Sequence, residues 1–276
     1  AVTSDGKCAV SGAYDSALKI WDLTSGIELA TLSGHTRTIT AVAVTPDGQR
    51  AISASFDQSL KVWDLAKHEV VATLSGHRAH LTSVVITADG QRAISASLDN
   101  TLKVWDLVSG TEVATLFVYS GTVTDIIVTP DGKRVISSSN NGHIKVWNIA
   151  SGEEIASFSG HTMAVTKLAI VPNGQQLISA SADHTVKVWN WVNGDEIITL
   201  SGHTDSVTGI AVARNRQWIA STSFDQTVKI WDITIGRCLA TFDAGVITRC
   251  CAFAPDGHCV VVGDELGRVH FLALVG

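Results

Sequence analysis

The sequence predicts an all-β protein made of seven copies of one four-stranded antiparallel sheet. Three observations support this prediction. A tryptophan recurs at a fixed interval of 42 residues, the distance from Trp21 to Trp63, and the same strand patterns return around each copy. The composition, with 23 glycines and only 4 prolines in 276 residues, favours strands joined by tight turns. The tryptophans of this series are Trp21, Trp63, Trp105, Trp147, Trp189 and Trp231.

Each copy contains four strand patterns. The first ends in a hairpin tip, as in TAVAVTPDGQ, where glycine supplies a positive φ. The second and third read ISAS and LKVWDL or close variants, and the third carries the tryptophan. The fourth is a short apolar run such as EVVATL, followed by Gly-His. Four strands of this length leave little room for a helix within one copy, which indicates one antiparallel sheet per repeat.

The strand interiors carry small or apolar residues on both sides, so each sheet needs a neighbour on either face. Radial stacking into a closed ring meets this need and leaves only short strand edges. We therefore expect residues 1–276 to form a single domain, a seven-bladed β-propeller of four-stranded antiparallel blades. The first copy starts at the tail of its first strand and the seventh stops after its third, so the last blade and the N-terminal seam are incomplete.

The Gly-His pairs, the turn aspartates and the Trp-Asp pairs resemble the signature of WD-repeat propellers over essentially the whole chain. The resemblance implies a hydrogen-bonded tetrad of His, Ser, Asp and Trp in each complete repeat. The indole N–H donates a hydrogen bond to the hydroxyl, and the hydroxyl donates one to the imidazole. The imidazole in turn donates to the carboxylate, which fixes the tautomer of the histidine. The implied tetrads are His35, Ser55, Asp57 and Trp63; His77, Ser97, Asp99 and Trp105; His161, Ser181, Asp183 and Trp189; and His203, Ser223, Asp225 and Trp231.

The resemblance also implies that an N-terminal strand completes the last blade. We therefore expect the domain to be the C-terminal part of a longer parent chain, which continues upstream of Ala1 and ends at or near Gly276. A full gene without an upstream strand and Gly-His segment would contradict this expectation.

Three repeats depart from the signature. The fourth has Val118-Tyr119 at the Gly-His position and Asn141 at the Asp position, so its tetrad is broken. The sixth has Asn215-Arg216 in place of Asp-Gly at its hairpin tip, which predicts local strain or a reshaped turn. The seventh places Leu272-Ala273 where Trp-Asp would stand, and it retains the strand pattern without a tetrad.

Composition also disfavours several kinds of partner. The net charge of −6 is spread along the chain without a basic run, so no nucleic-acid partner is expected. No stretch approaches eighteen apolar residues, and the first residues lack the regions of a signal peptide. We therefore expect a cytoplasmic protein without a membrane partner.

The cysteines show no metal-ligand spacing, so we expect buried, reduced thiols at Cys8, Cys238, Cys250, Cys251 and Cys259.

The sequence offers no candidate for catalysis. The Gly-His histidines lie one per blade around the ring and cannot converge on one metal ion. Neither a phosphate-binding loop nor a nucleophile elbow occurs. We therefore expect no metal, no cofactor and no enzymatic activity, and an enzyme that uses the central channel is the least favoured alternative.

By resemblance, one set of loop residues per blade faces the mouth of the channel. Large apolar groups at such positions predict contact with a protein or peptide. An alternative of equal weight is that Phe56 and Phe224 only fold over neighbouring blades. Arg37 and Arg78 are the only arginines nearby, so a phosphopeptide clamp is not supported and a neutral or apolar peptide fits better. The predicted partner-binding residues are Tyr14, Arg37, Phe56, His80, Leu98, Asn140, Met163, Asp205 and Phe224.

Two function classes remain open. The near-verbatim repeats are similar to those of bacterial WD-repeat proteins, which implies an interaction or sensor module attached to a larger signalling protein. Its partner would be a protein or peptide, or another domain of the same parent chain. The alternative is a free-standing scaffold that gathers several partners around its rim. The extent of the gene upstream of Ala1 would separate the two.

Overall fold

The structure, a computed structural model, describes residues 1–118, 121–171, 174–213, 217–254, 257 and 259–274. Within these ranges the chain forms 26 β-strands and no α-helix. The strands make seven antiparallel sheets, each built from strands that follow one another in the sequence. The predicted fold class, an all-β protein of seven propeller blades, is confirmed.

Five sheets have four strands, and the first and last have three, as the incomplete first and seventh copies predict. In the first sheet, residues before β1 add only an isolated bridge between Val2 and Ala9. The three-stranded sheets are β1 (Cys8–Gly12), β2 (Leu18–Asp22) and β3 (Glu28–Leu32), and β24 (Thr248–Phe253), β25 (Cys259–Asp264) and β26 (Val269–Ala273).

The four-stranded sheets are β4 (Ile39–Val44), β5 (Arg50–Ser55), β6 (Ser59–Asp64) and β7 (Glu69–Ser75); β8 (Leu81–Ile86), β9 (Arg92–Ser97), β10 (Thr101–Asp106) and β11 (Thr111–Phe117); β12 (Val123–Val128), β13 (Arg134–Ser139), β14 (His143–Asn148) and β15 (Glu154–Ser159); β16 (Val165–Ile170), β17 (Gln176–Ser181), β18 (Thr185–Asn190) and β19 (Asp195–Ser201); and β20 (Val207–Val212), β21 (Trp218–Ser223), β22 (Thr227–Asp232) and β23 (Arg237–Asp243).

The chain forms two compact units, and the first comprises Ala1–Val135 with Trp147–Glu153. Its apolar clusters lie between consecutive sheets. Trp63 of the second sheet is buried with Val10 and Leu18 of the first. Trp105 of the third sheet packs in the same way with Leu60 of the second. The tryptophan of each of these repeats therefore covers the face of the preceding sheet, where burial of its large side chain stabilises the stack.

The second unit comprises Ile136–Val146 with Glu154–Gly276. Trp231 of the sixth sheet packs with Ile178 and Val186 of the fifth. Between the sixth and seventh sheets the cluster has no tryptophan, and Val260 and Val262 fill this space together with Val228. The seventh copy thus keeps the apolar strand pattern although its Trp-Asp pair is absent.

Threonines on the first strands of two sheets tie neighbouring sheets together. Thr40 Oγ1 donates to the carbonyl of Leu81 at 3.0 Å, and Thr166 Oγ1 donates to the carbonyl of Val207 at 2.6 Å. Thr82 occupies the same position in the third repeat, 42 residues after Thr40. Among the described residues its buried hydroxyl has no hydrogen-bond partner.

The cysteine prediction was wrong in part. All five thiols are free, but Cys238 and Cys250 are exposed, and Cys8, Cys251 and Cys259 are half-buried. Cys238 stands on β23, an edge strand of its sheet, and all seven residues of this strand are exposed.

Replacing Thr166 and Thr82 should show how a hydroxyl with a hydrogen-bond partner and one without a partner differ in their effect on stability. Thr166→Val leaves a buried carbonyl without its donor and should lower the free energy of unfolding by about 1–3 kcal/mol. Thr82→Val removes a hydroxyl that has no partner and should be neutral or stabilising. Urea denaturation followed by circular dichroism measures both, and an equal loss in the two variants would contradict the assignment.

Candidate partner-binding surface

Four repeats contain a hydrogen-bond chain that runs from a tryptophan to an aspartate. In the third repeat, Trp105 Nε1–H donates to Ser95 Oγ at 2.8 Å, and this oxygen lies 2.7 Å from His77 Nε2. His77 Nδ1 lies 2.9 Å from Asp99 Oδ2. Because indole can only donate, the serine accepts from it and donates to Nε2, and Nδ1–H donates to the carboxylate. The other chains are Trp63, Ser53, His35 and Asp57; Trp189, Ser179, His161 and Asp183; and Trp231, Ser221, His203 and Asp225.

The charge states agree with this direction of donation. Burial lowers the pKa of His77 below its ordinary value and outweighs the hydrogen bond that His77 donates to Asp99, which raises this pKa. The imidazole is therefore neutral. Burial raises the pKa of Asp57, but hydrogen bonds from Ser59, His35 and the Thr36 N–H outweigh it and lower the pKa to about 2. The aspartate is therefore an anion that accepts on both oxygens.

The structure corrects the serine of each predicted tetrad. Ser55, Ser97, Ser181 and Ser223 do not join the hydrogen-bond chains; the serine two residues earlier does. The reason is the register of the hairpin. Trp63 pairs with Ala51, so the diagonal neighbour on the same face is Ser53, whereas Ser55 lies a further two residues along the strand.

The serines that were predicted for the tetrads instead fasten two loops together. Ser55 Oγ donates to the carbonyl of Arg37 at 3.0 Å and accepts from the N–H of Asp57 at 3.1 Å. The N–H of Phe56 donates to the carbonyl of Thr38 at 2.9 Å. We call these two segments of each repeat, the turn after the second strand and the loop after Gly-His, the top loops. Similar bonds join them in the other complete repeats through Ser97, Ser181 and Ser223.

One residue of each turn adopts a left-handed conformation. It is Gln58 in the second repeat, with φ 72°, and Gln226 in the sixth, with φ 68°. The fourth repeat has Gly142 here, with φ 84°. A Cβ atom on Gly142 would lie 2.5 Å from the carbonyl oxygen of His161 and 3.1 Å from that of Met163. Glycine is thus required by space as well as by φ.

In the first unit, the predicted partner-binding residues lie on the top loops. Tyr14 is 90% exposed, Leu98 42% and Phe56 37%. Arg37 is exposed and His80 is half-buried. None of these side chains belongs to a tetrad, so the interactions that hold the repeat leave them available for contact.

Phe56 and His80 are joined across two repeats. Their ring centroids are 4.6 Å apart, and His80 Nδ1 lies 2.6 Å from the carbonyl oxygen of Phe56. On its other side, Phe56 lines a pocket of about 280 Å³ together with Tyr14 and Ala13. Ala13 stands where later repeats have the loop-fastening serine, as at Ser55.

In the second unit, the predicted residues differ in exposure. Met163 is 52% exposed, and Asn140 and Asp205 are exposed. Phe224 is half-buried beneath Arg249, whose guanidinium carbon lies 4.8 Å from the ring centroid. The sequence prediction missed Arg249, which lies in the divergent seventh copy and has no counterpart in the Gly-His loops. Both phenylalanines therefore contact the next repeat, and Phe56 also keeps an exposed part.

The divergent repeats replace the tetrad in different ways. Val118, at the glycine position of the fourth repeat, is buried, and Asn141 accepts a hydrogen bond from Ser139 at 2.5 Å. In the seventh repeat, His270 Nε2 lies 2.9 Å from the buried Asp264. Tyr119 and the predicted reshaped turn at Asn215-Arg216 lie outside the described residues.

Two further searches cover the described part of the chain. No group of three or more His, Cys, Asp and Glu side chains is placed to hold a metal ion there. The described residues also include no helix that is long and apolar enough to cross a membrane.

Seven segments of the chain match the family model "WD domain, G-beta repeat", at residues 1–22, 26–64, 68–106, 110–148, 152–190, 194–232 and 236–271. A stretch of 43 residues is 46% identical to "Dynein assembly factor with WD repeat domains 1" of Danio rerio and 44% identical to the proteins of that name in Homo sapiens and Mus musculus. The stretch covers 16% of this chain and 10% of each of these relatives.

The neutral histidines should make stability depend on pH. Each histidine has a lowered pKa in the folded state. Its contribution to the free energy of unfolding is therefore complete above the pKa of the unfolded state, about 6.5, and is lost as the pH falls below that value. The free energy of unfolding should fall by at most about 1.4 kcal/mol per pH unit for each histidine. The aspartate contribution should be lost only below about pH 4. Urea titrations at pH 7.5, 6.0 and 5.0 should show a steeper slope for the wild type than for His77→Gln; equal slopes would contradict the neutral assignment.

The turn glycine of the fourth repeat, Gly142, should not tolerate the glutamine that other repeats have at this position. Gly142→Gln should lower the free energy of unfolding by more than about 2 kcal/mol, because the new Cβ meets backbone oxygens. The matched exchange Gln58→Gly should stay within about 1 kcal/mol of the wild type, since glycine accepts the same φ. Thermal unfolding compares the two, and similar losses would show that space around Gly142 is not limiting.

Proposed function

Because the chain belongs to the WD-repeat family, we propose that it is a non-catalytic interaction or sensor module of a larger signalling protein and binds a protein or peptide through its top loops. Propellers of this family generally mediate protein–protein interactions and are generally non-catalytic. The attachment to a signalling protein, the top loops as the site and the nature of the partner are the parts that we propose.

One observation carries the proposal. The tetrads and the loop-fastening serines use the recurring polar side chains of the four complete repeats internally, whereas the residue after the serine position, which is occupied by Ala13 in the first repeat, projects from a fixed backbone. In three successive repeats this residue is Tyr14, Phe56 or Leu98, each more than a third exposed. Apolar side chains held on rigid loops bind a partner with little loss of conformational entropy, so this arrangement suits recognition.

The names of the matched relatives add nothing to this chain beyond the family. Their assembly role concerns dynein, and the identity to them extends over 43 residues, about the length of one repeat. We therefore do not propose a dynein-related partner.

Partner capture should depend on the phenylalanine rings of the top loops and not on fold stability. Phe56→Ser and Phe224→Ser should weaken capture of partners from a lysate of the source cells, while the melting temperature changes by only about 2 °C. Quantitative mass spectrometry of the captured proteins and differential scanning calorimetry measure the two effects.

A matched control comes from exposed apolar residues at other turns. Val108 is 78% exposed and Val192 62%, and both follow the third strand of their repeats. The double variant Val108→Ser with Val192→Ser should leave capture unchanged. If Phe56→Ser instead unfolds the protein, the ring belongs to the core; if the control loses the same proteins, the top loops are not the site.

A further inference from the structure

A cavity of about 430 Å³ lies in the first unit, at the end of β5 opposite to the top loops. The strand β5 begins at Arg50, which lines the cavity, and ends at Ser55, which fastens the top loops. The cavity separates the first sheet, which contributes Cys8, from the second sheet, which contributes Leu65. We call it the basal pocket.

The gap between the second and third sheets shows what occupies the corresponding place there. Arg50 extends towards the third sheet, and its Nη1–H donates to the carbonyl of Leu107 at 3.4 Å. Arg50 follows Cys8 by 42 residues, and Leu107 follows Leu65 by the same interval. Among the described side chains, none donates to the carbonyl of Leu65. The basal pocket is therefore a gap that has a cysteine where the next gap has an arginine.

Two residues of the basal pocket depart from the pattern of the other repeats. Cys8 is the first residue of a second strand, and five other repeats have a longer side chain at this position, namely Arg50, Arg92, Arg134, Gln176 and Trp218. His68 has φ 58°, and five other repeats have a glycine with positive φ at this position, namely Gly26, Gly110, Gly152, Gly194 and Gly236. A strained residue of this kind is uncommon, and such residues cluster at functional sites.

Three carboxylates line the pocket, and each is held by its own turn. Asp5 Oδ1 accepts from Thr3 Oγ1 at 2.6 Å, and Asp47 Oδ1 accepts from Thr45 Oγ1 at 2.5 Å. These hydrogen bonds lower the pKa of both carboxyl groups, so both are anions at neutral pH. Their Oδ2 atoms accept no hydrogen bond from the described residues. Asp64, the third carboxylate, accepts two backbone N–H groups on Oδ1.

The nearby cations do not neutralise these carboxylates. Arg50 is the only arginine or lysine among the described residues of the lining, and its guanidinium donates into the next gap. Lys67 lies outside the lining, 3.8 Å from Asp64 and 3.9 Å from Glu69. Lys7 makes no ion pair within the described part of the chain. The lining thus has three carboxylates and one guanidinium, and this excess of negative charge is complementary to a cation.

We propose that the basal pocket binds an arginine side chain of a partner protein. The guanidinium donates to the carbonyl of Leu65, as Arg50 does to that of Leu107, and to the Oδ2 atoms of Asp5 and Asp47. Its planar fork of five donors suits several acceptors at once better than the ammonium of a lysine does. The aliphatic stem packs on the apolar walls of the pocket. This site is separate from the top loops and does not depend on the proposed function.

Two synthetic peptides test the requirement for a guanidinium on the full 276-residue chain by isothermal titration calorimetry. One has the sequence GSLRLSG, and the other has citrulline, which is neutral and of similar shape, in place of the arginine. The wild type should bind the arginine peptide at least about tenfold more tightly. Cys8→Arg should abolish binding, because the chain's own arginine then fills the pocket. The matched control Cys8→Ser leaves the pocket open and should bind as the wild type does.

A second pair of variants tests the carboxylates. Asp5→Asn with Asp47→Asn keeps an acceptor for each turn but removes two negative charges, and it should weaken binding of the arginine peptide about tenfold. The matched control is Asp89→Asn with Asp131→Asn, at hairpin tips of the third and fourth repeats that have the same hydrogen bonds from a threonine hydroxyl. This control should bind as the wild type does.

The proposal is overturned if neither peptide binds, if both bind equally, if Cys8→Arg still binds the arginine peptide, or if the two asparagine double variants lose affinity equally. Circular dichroism checks that each variant is folded, and the asparagine variants decide the question if Cys8→Arg is not. Phe56→Ser should bind the arginine peptide as the wild type does. Loss of binding in Phe56→Ser would assign the peptide to the top loops and refute this inference alone.

Discussion

In four repeats, a side chain that can only donate sets the direction of every other hydrogen bond in its network. The indole of Trp105 requires an acceptor, so Ser95 must give its own proton to His77, and His77 must give its Nδ1 proton to Asp99. The indole itself packs on the preceding sheet. The network therefore joins the third strand, the second strand, the Gly-His loop and the turn of one repeat, while the tryptophan joins that repeat to its neighbour.

In this arrangement, the groups that hold the loop backbone in place are not the side chains that the loop presents to a partner. The aspartate at the end of each network also accepts the N–H of the residue after the histidine, as Thr36 N–H does at 3.1 Å from Asp57. The loop is thereby fixed at its backbone, and side chains such as Tyr14 and Phe56 are free to vary without disturbing the tetrad. The left-handed turn position is constrained differently, because Gly142 occupies it in the fourth repeat and a side chain there would meet the carbonyl of His161.

The sequence was sufficient for the strands and the sheets because strict spacing, turn residues and apolar alternation all indicate the same element in each copy. It was not sufficient for the serines. Ser53 and Ser55 lie on the same side of one strand, and only the register against Trp63 decides which one meets the indole. The sequence also did not predict side-chain exposure. Cys238 resembles an apolar core residue by type, but its place on the edge strand β23 leaves it exposed. Phe56 and Phe224 share one repeat position, and the next repeat supplies His80 to one and Arg249 to the other.

The strands β5 and β9 have the identical sequence RAISAS, and their partners β6 and β10 differ only at the first residue. Side-chain contacts therefore cannot tell β6 which of the two to pair with, and the choice falls to chain connectivity. Three residues separate β5 from β6, whereas 27 separate β6 from β9, which favours the local pair by about 2 kcal/mol of loop-closure entropy. Connectivity offers no such preference between separate molecules. Refolding at high protein concentration thus allows equivalent strands to be exchanged between chains, and dilution is the condition that keeps each repeat paired with itself.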